Sequence, residues 1–357
     1  MSSVNLTRRQ HYVPQAYLKH WCDANGKLAV SINGNVVPSS GTTNFAVEID
    51  FYSFVDLSST ELEFLFRTIS QIITDENPIV DAIIAPIFLI VLYFRCESHD
   101  WTEEYGMVFD NFFPWMKNQD RINAYRLLRR VAEGKAELRQ EHIDIIERET
   151  LSGFESLMTG IENAAWPVIN SLLTNGAKCL KESKNLRCLL LYLVNQCFRG
   201  PDYLKYIESV FPVRAHEIGE TPKLAKYLRY IFPFYVLNQL LKTKEQRKVY
   251  IIENCTDLEF ITGDVPCAIY GESRNPKTPM ITYFPISPRN AILFGYRKAI
   301  NKYIQITGWE LRDKKLVDWF NREVVASSQR FVFACSADVL IENDYHVHQN
   351  STPSCVR

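Results

Sequence analysis

The sequence predicts an α+β fold in which a large helical domain joins a mixed β region. Two patterns favour it. Between Ser58 and about Arg247 the apolar residues recur at helical spacing, whereas after Lys248 the apolar segments are short, β-branched and aromatic. The N-terminal segment has the pattern of a β-hairpin. Because an isolated hairpin is only marginally stable in water, we expect it to pair with the C-terminal strands.

The chain of 357 residues is long enough for a sizeable core, and its 46% hydrophobic and 23% charged residues are typical of globular proteins. The change of pattern along the chain predicts three segments. These are an N-terminal helix and hairpin that pack on the C-terminal region (1–55), a helical domain (56–247), and a strand-rich region with one helix (248–357).

The first segment begins with a short helix. Pro14 suits the first turn of a helix that runs to Trp21. A strand over 27–32 follows, and Asn33-Gly34 is the dipeptide most typical of a two-residue hairpin turn before the strand returns. Residues 45–52 alternate like a further extended segment.

The helical domain opens with Ser58-Ser-Thr-Glu61, the pattern of a capping box. Further helices are predicted at 79–97, 101–117, 119–133, 137–174, 184–198, 201–210 and 222–242. The most apolar segment, 82–94, is shorter than the roughly 18 to 20 residues that a membrane span needs. Asp81 and Arg95 flank it, so we expect a buried core helix, kinked at Pro86.

Strands are predicted at 249–252, 260–262, 280–284, 291–295 and 330–335, with one helix over 314–328. The N-terminus has no apolar core of a secretory signal. The nine cysteines are scattered, lie in part within apolar runs, and include no Cys-x-x-Cys pair. We therefore expect reduced thiols, a cytoplasmic location and no membrane partner.

The net charge limits the partners. Forty basic residues stand against 41 acidic ones, a formal net charge of -1, and this balance gives no support to nucleic-acid binding. Glycine-loop, nucleophile-elbow and zinc-protease motifs are absent. His346 and His348 have the alternate spacing of some metal ligands, but no third ligand is near. The sequence assigns no metal and no cofactor, and it leaves a homo-oligomer open.

Polar residues in three motifs are the candidates for a functional site. His11 and Gln15 stand four residues apart at a helix start, with donors and acceptors to offer. His11-Tyr-Val-Pro also resembles the opening of the His-Asn-His nuclease motif, where histidine is a general base beside a metal ion. However, Gln10 replaces the expected acidic residue and no second histidine follows closely. The alternative for His11 is a hydrogen bond that holds a neighbouring loop.

The second motif puts Gln196 and Arg199 on one helical face, before Pro201 ends the helix. Arg199 could bind an anionic substrate, or it could pair with Glu155 or Glu162. The third motif places Asp264 in a turn between strands, either as a catalytic base or as the cap of that turn. We expect His11, Arg199 and Asp264 to share one cleft, with Asp264 or a glutamate accepting a hydrogen bond from His11 or Arg199.

These motifs together resemble the bacterial domain of unknown function (DUF) family 4238. The resemblance covers most of the chain except about 60–150, and one departure is Gly263, where the family usually shows serine. The matching segments, in order, are Arg8-Arg9 before His11-Tyr-Val-Pro-Gln15, Asp50-Phe-Tyr52, Glu155 with Glu162-Asn-Ala-Ala165, Gln196-Cys-Phe-Arg-Gly-Pro201, Phe260-Ile-Thr-Gly-Asp-Val-Pro266 and Phe284-Pro-Ile-Ser-Pro288.

The resemblance implies no known activity, so two hypotheses stand. The first is an enzyme of the nuclease or phosphate-ester hydrolase class, in an antiviral or mobile-element setting. Its catalytic candidates are His11 and Asp264, and its substrate-binding candidates are Gln15, Gln196 and Arg199. The second is a non-enzymatic sensor or protein-interaction module whose polar motifs are structural. Convergence of these five side chains would favour the enzyme.

Overall fold

The computed structural model describes residues 9–72, 85–98, 101–112, 119–201, 221–270, 281–298, 300 and 310–347. Helices and β-sheets both contribute, which confirms the α+β class. The chain divides into two compact units. Unit 1 comprises Met1–Gln10, Ile49–Gly160 and Pro201–Val236, and unit 2 comprises His11–Glu48, Ile161–Gly200 and Leu237–Arg357. The units alternate along the chain, and the division into 1–55, 56–247 and 248–357 stays a prediction.

The α-helices of the described residues follow the predicted periodicity closely. The predicted helix 201–210 lies almost wholly outside the described residues. In chain order the helices are α1 (Gln15–Leu18), α2 (Ser59–Ile72), α3 (Ala85–Ser98), α4 (Glu103–Phe112), α5 (Gln119–Ala132), α6 (Gln140–Asn175), α7 (Ser183–Phe198), α8 (Thr221–Lys242), α9 (Lys314–Ser327) and α10 (Ala337–Glu342).

The strands of the described residues form three sheets. The five-stranded sheet has the order β10-β5-β9-β8-β7, the four-stranded sheet has the order β3-β2-β11-β6, and β1 pairs with β4. Their bounds are β1 (Arg9–His11), β2 (Leu28–Ile32), β3 (Asn35–Ser40), β4 (Val47–Ile49), β5 (Arg247–Asn254), β6 (Thr262–Gly263), β7 (Ala268–Tyr270), β8 (Ile281–Ser287), β9 (Asn290–Tyr296), β10 (Glu310–Leu311) and β11 (Phe331–Ala334).

The N-terminal hairpin joins the C-terminal strands, as predicted. Asn33 and Gly34 both have positive φ angles, 50° and 81°, which a type I′ hairpin turn requires. Strand β2 then pairs antiparallel with β11, with Ile32 opposite Phe331. The pairing supplies the third strand that an isolated hairpin lacks.

Helix α3 lies in the core of unit 1. Ile87, Ile90 and Val91 are all at most 1% exposed, which confirms the expected burial. The described part of this helix begins at Ala85, so residues 82–84 lie outside the described residues and the kink at Pro86 stays a prediction. No helix among the described residues is long and apolar enough to cross a membrane.

The capping box at the start of α2 forms as the sequence predicts. The Glu61 carboxylate accepts a hydrogen bond from the backbone N–H of Ser58 at 2.7 Å, and Ser58 Oγ accepts one from the backbone N–H of Glu61 at 3.3 Å. The reciprocal pair satisfies two donors that the first turn would otherwise leave without acceptors.

Candidate functional site

His11 and Gln15 lie at the junction of β1 and α1 in unit 2. Pro14 precedes the helix, and the first helical residue, Gln15, places its amide nitrogen 3.2 Å from His11 Nε2 and 3.3 Å from Nδ1. An amide N–H can donate only to a ring nitrogen that carries no proton. The contact therefore fixes the side chain of Gln15 beside the imidazole ring of His11.

Arg199 holds the backbone of His11. It follows the last residue of α7, and its Nη2 donates a hydrogen bond to the His11 carbonyl oxygen at 2.8 Å. Its Nη1 pairs with the carboxylate of Glu162 on α6. The Arg199 and Glu162 side chains are only 6% and 14% exposed. The predicted pairing of Arg199 with a glutamate is therefore formed by Glu162.

One face of α7 leads to Arg199 and carries two polar atoms without partners. Tyr192, Gln196 and Arg199 are spaced four and three residues apart, so they line one face of the helix. Tyr192 is fully buried and Gln196 is 3% exposed. Tyr192 OH and Gln196 Oε1 are enclosed and have no hydrogen-bond partner in the described structure. Such atoms are uncommon, and a bound polar group would satisfy them.

The charges around Tyr192 keep its hydroxyl protonated. Burial raises the pKa of Tyr192 well above its ordinary value, and the negative charge of Glu162 raises it further. Arg199 opposes this effect. Tyr192 therefore presents a neutral O–H donor beside Gln196, an acceptor, and beside the Arg199–Glu162 pair.

Tyr17 ties α1 to the strands of unit 2. Its hydroxyl donates to the carbonyl oxygen of Pro285 at 2.6 Å, so the hydroxyl of Thr262, at 2.7 Å, must be the donor of their shared bond. Its ring lies 5.2 Å from that of Phe284. Burial raises the pKa of Tyr17 far above its ordinary value. This contact joins the first polar motif to the strand that contains Phe284 and Pro285.

An imidazole–indole stack lies near the same face. His20 stacks on Trp166 with centroids 4.4 Å apart, and Trp166 is 6.1 Å from Tyr192. Burial lowers the pKa of His20. Trp166 is four residues after Glu162, so both lie on one face of α6.

Asp264 caps a turn through its side chain. Its Oδ1 accepts a hydrogen bond from the backbone N–H of Gln329 at 2.9 Å, and its Oδ2 accepts from Arg330 at 2.9 Å and Phe331 at 3.3 Å. The residue is 2% exposed. The carboxylate thus satisfies the backbone that leads into β11, and of the two roles considered for Asp264 this geometry is that of a cap.

Gly263 is required by its surroundings. A Cβ at this position would collide with the hydroxyl of Ser328 and would lie 3.3 Å from the Phe331 carbonyl oxygen. The Ser328 hydroxyl donates to the Val324 carbonyl oxygen at 2.7 Å. Ser328, the residue that follows α9, therefore fills the space that a side chain at residue 263 would need.

The helix end and the turn are neighbours. A Cβ on Gly200 would lie 3.6 Å from Val265 Cγ2 and 3.9 Å from the Asp264 carbonyl oxygen. Cys197 and Cys267 form a disulfide, with Cα atoms 5.3 Å apart. The expectation of free thiols is wrong at these two positions, because 70 residues separate them and their spacing gave no sign of pairing.

The structure thus brings the three polar motifs into one region of unit 2. Arg199 contacts His11, and the next residue contacts the turn of Asp264. The glutamate that was expected to accept from Arg199 is Glu162. The Asp264 carboxylate, however, is engaged by backbone N–H groups of residues 329–331. The sequence analysis did not name Tyr192 as a site residue, although it lies four residues before Gln196 and therefore on the same face of the helix.

Metal ligands form no cluster in the described ranges, where no three His, Cys, Asp or Glu side chains are placed to hold one ion. His346 is described and lies 3.2 Å from the Asp344 carboxylate, whereas His348 falls outside the described residues. The site is defined by its polar and aromatic groups.

These features define an α+β protein in which a buried ion pair holds the backbone of a half-buried histidine. Residues 9–338 match the family model described as "Protein of unknown function (DUF4238)". The chain belongs to this family. No curated protein and no solved structure matches the chain significantly.

Proposed function

We propose that the chain is a hydrolase of phosphate esters, in the class that includes nucleases, and that His11 is its general base. One observation carries the proposal: a buried ion pair is used to hold the backbone of a half-buried histidine. Removing an arginine and a glutamate from water costs several kcal/mol, which their mutual attraction offsets only when the geometry is good. We infer that the ion pair serves to position the imidazole of His11.

The roles of the candidates follow from their contacts. The His11 imidazole takes a proton from water as the water oxygen bonds to phosphorus. It then returns the proton to the alkoxide that leaves when the ester P–O bond breaks. Gln15 orients the ring, because its side-chain amide lies within hydrogen-bond distance of it. Arg199 is a positioning residue, and Asp264 stabilises the turn.

Gln196 and Tyr192 supply the substrate contacts in this proposal. Gln196 Oε1 can accept a hydrogen bond and Tyr192 OH can donate one, and neither does so within the described protein. A substrate that carries a hydroxyl or an amide beside its phosphate would satisfy both atoms. The proposal includes that the protein acts in an antiviral or mobile-element setting.

The test is a substrate panel. Wild-type protein is assayed on bis(p-nitrophenyl) phosphate, p-nitrophenyl phosphate, and single- and double-stranded DNA and RNA, each with and without Mg²⁺ or Mn²⁺. We expect cleavage of at least one member. His11→Ala should lower kcat by about 10²–10⁴, the usual contribution of a general base, without lowering the melting temperature. No cleavage of any member, or full activity of His11→Ala, would refute the proposal.

A non-enzymatic sensor or protein-interaction module is the second candidate. The observation that favours it is the complete engagement of Asp264 by the backbone, since a carboxylate with three N–H donors is built to stabilise a fold. In this case biological activity should follow the folded fraction. Asp264→Ala should lose both together, and folded His11→Ala should keep its activity.

A further inference from the structure

Unit 1 contains a buried arginine that the proposed function does not use. Arg229 lies on α8 and is 3% exposed. Its Nη2 donates hydrogen bonds to the Phe51 carbonyl oxygen and to the Tyr230 hydroxyl, the latter at 2.8 Å. Its Nε and Nη1 are enclosed and have no acceptor. Both acceptors that it does have are neutral.

Aromatic rings surround the guanidinium. The central carbon of Arg229 lies 4.4 Å from the ring centroid of Phe51, 5.3 Å from that of Tyr52 and 4.9 Å from that of Tyr230. Cation–π attraction of this kind stabilises a desolvated cation. It does not provide lone pairs for the N–H groups at Nε and Nη1.

A second cation lies one turn earlier on the same helix. Lys226 is half-buried, and its pKa is lowered by burial and then by the positive charge of Arg229. No carboxylate forms an ion pair with Lys226 or Arg229 in the part of the chain that the structure describes. Arginine does not deprotonate in proteins, so the charge of Arg229 persists in the core. Buried arginines are almost always paired.

We propose that Arg229 and Lys226 bind an oxyanion of the phosphate type. A phosphate dianion has the two negative charges that would neutralise both cations. Its oxygen atoms are enough to accept hydrogen bonds from Nη1 or Nε of Arg229 and from the Lys226 ammonium at the same time. The half-exposed Lys226 marks the side from which the anion enters. The site lies in unit 1, and it does not depend on the hydrolase proposed for unit 2.

Thermal unfolding and calorimetry with inorganic phosphate test this site. The full chain is titrated with phosphate at constant ionic strength, with chloride as the reference anion and acetate as the carboxylate arm. We expect a melting temperature that rises with phosphate and saturates, because a ligand of the native state stabilises it by mass action. Chloride should give no such rise, and acetate a smaller one.

Variants separate binding from general charge effects. Lys226→Met should weaken phosphate binding about tenfold, the value of one charged hydrogen bond, and Arg229→Met should abolish it. Lys242→Met, an exposed lysine on the same helix, should bind like wild type. If Arg229→Met does not fold, Lys226→Met decides. A wild-type protein that responds to phosphate no more than to chloride would overturn the proposal, as would equal binding by Lys226→Met and Lys242→Met.

Discussion

The Arg199–Glu162 pair gives the most informative stability prediction. Replacing Glu162 by glutamine preserves the shape of the side chain and removes the negative charge that pairs with Arg199, whose side chain is 6% exposed. Breaking a buried pair from one side costs about 3–5 kcal/mol in free energy of unfolding. We expect about 3 kcal/mol, the lower limit, because Glu162 is 14% exposed.

The double variant provides the sharper comparison. Arg199→Met removes the cation and the donor to the His11 carbonyl, and the lost hydrogen bond alone costs about 1 kcal/mol. In Glu162→Gln/Arg199→Met both charges of this ion pair are removed together. The double variant should therefore lose less stability than the two single variants add up to, by about 2 kcal/mol or more.

The assay is urea unfolding, followed by tryptophan fluorescence and far-UV circular dichroism, with coincident transitions as the condition for a two-state fit. Glu310→Gln is the matched control. Its pair with Arg312 is exposed, 54% for Glu310 and 74% for Arg312, so the change should cost less than about 1 kcal/mol. Equal costs for Glu162→Gln and Glu310→Gln, or single variants that simply add, would refute the reasoning.

Three further predictions follow from local contacts. Gly263→Ala should lose about 1–3 kcal/mol of stability because its Cβ meets Ser328. Adding Ser328→Gly should recover most of this loss in the same urea assay. A free energy of unfolding that Gly263→Ala leaves unchanged would contradict the packing. Ile90→Ala should cost about 2–5 kcal/mol at 1% exposure and Leu89→Ala less, and the reverse order of urea midpoints would be the contrary result. Burial lowers the pKa of His20 below its ordinary value of 6.5, so the unfolded chain binds more protons at this residue than the folded one. Stability should therefore fall as the pH falls below about 6.5. His20→Phe, which keeps a ring on Trp166, should flatten this pH dependence, and an unchanged pH profile would contradict the prediction.

Local patterns predicted the elements well because local physics decides them. The Asn33-Gly34 turn depends on two positive φ angles that these residue types tolerate, and the capping box depends on residues three apart. The pairing of the hairpin with β11 followed from a general requirement, that a hairpin needs a third strand.

Partners distant in sequence could not be read from such patterns. Arg199 has two candidate glutamates on one helix, and the ion pair with Glu162 depends on how α6 packs against α7. The Asp264 carboxylate accepts hydrogen bonds from backbone N–H groups of residues 329–331. Every residue type except proline carries such a group, so the sequence does not indicate which residues are the donors. The pairing of Cys197 with Cys267 likewise depends on how the end of α7 meets the turn.

Chemical rescue of His11 tests the central claim most directly. On a phosphate ester that the wild-type protein cleaves, kcat is measured for wild type and for His11→Gly, with and without added imidazole. The melting temperatures of the two proteins must match, which shows that the variant is folded. The account predicts a loss of about 10²–10⁴ in kcat for His11→Gly and partial recovery with imidazole, since the free base fills the place of the side chain. Wild-type kcat for folded His11→Gly, or a loss that imidazole leaves unchanged, would contradict His11 as the general base.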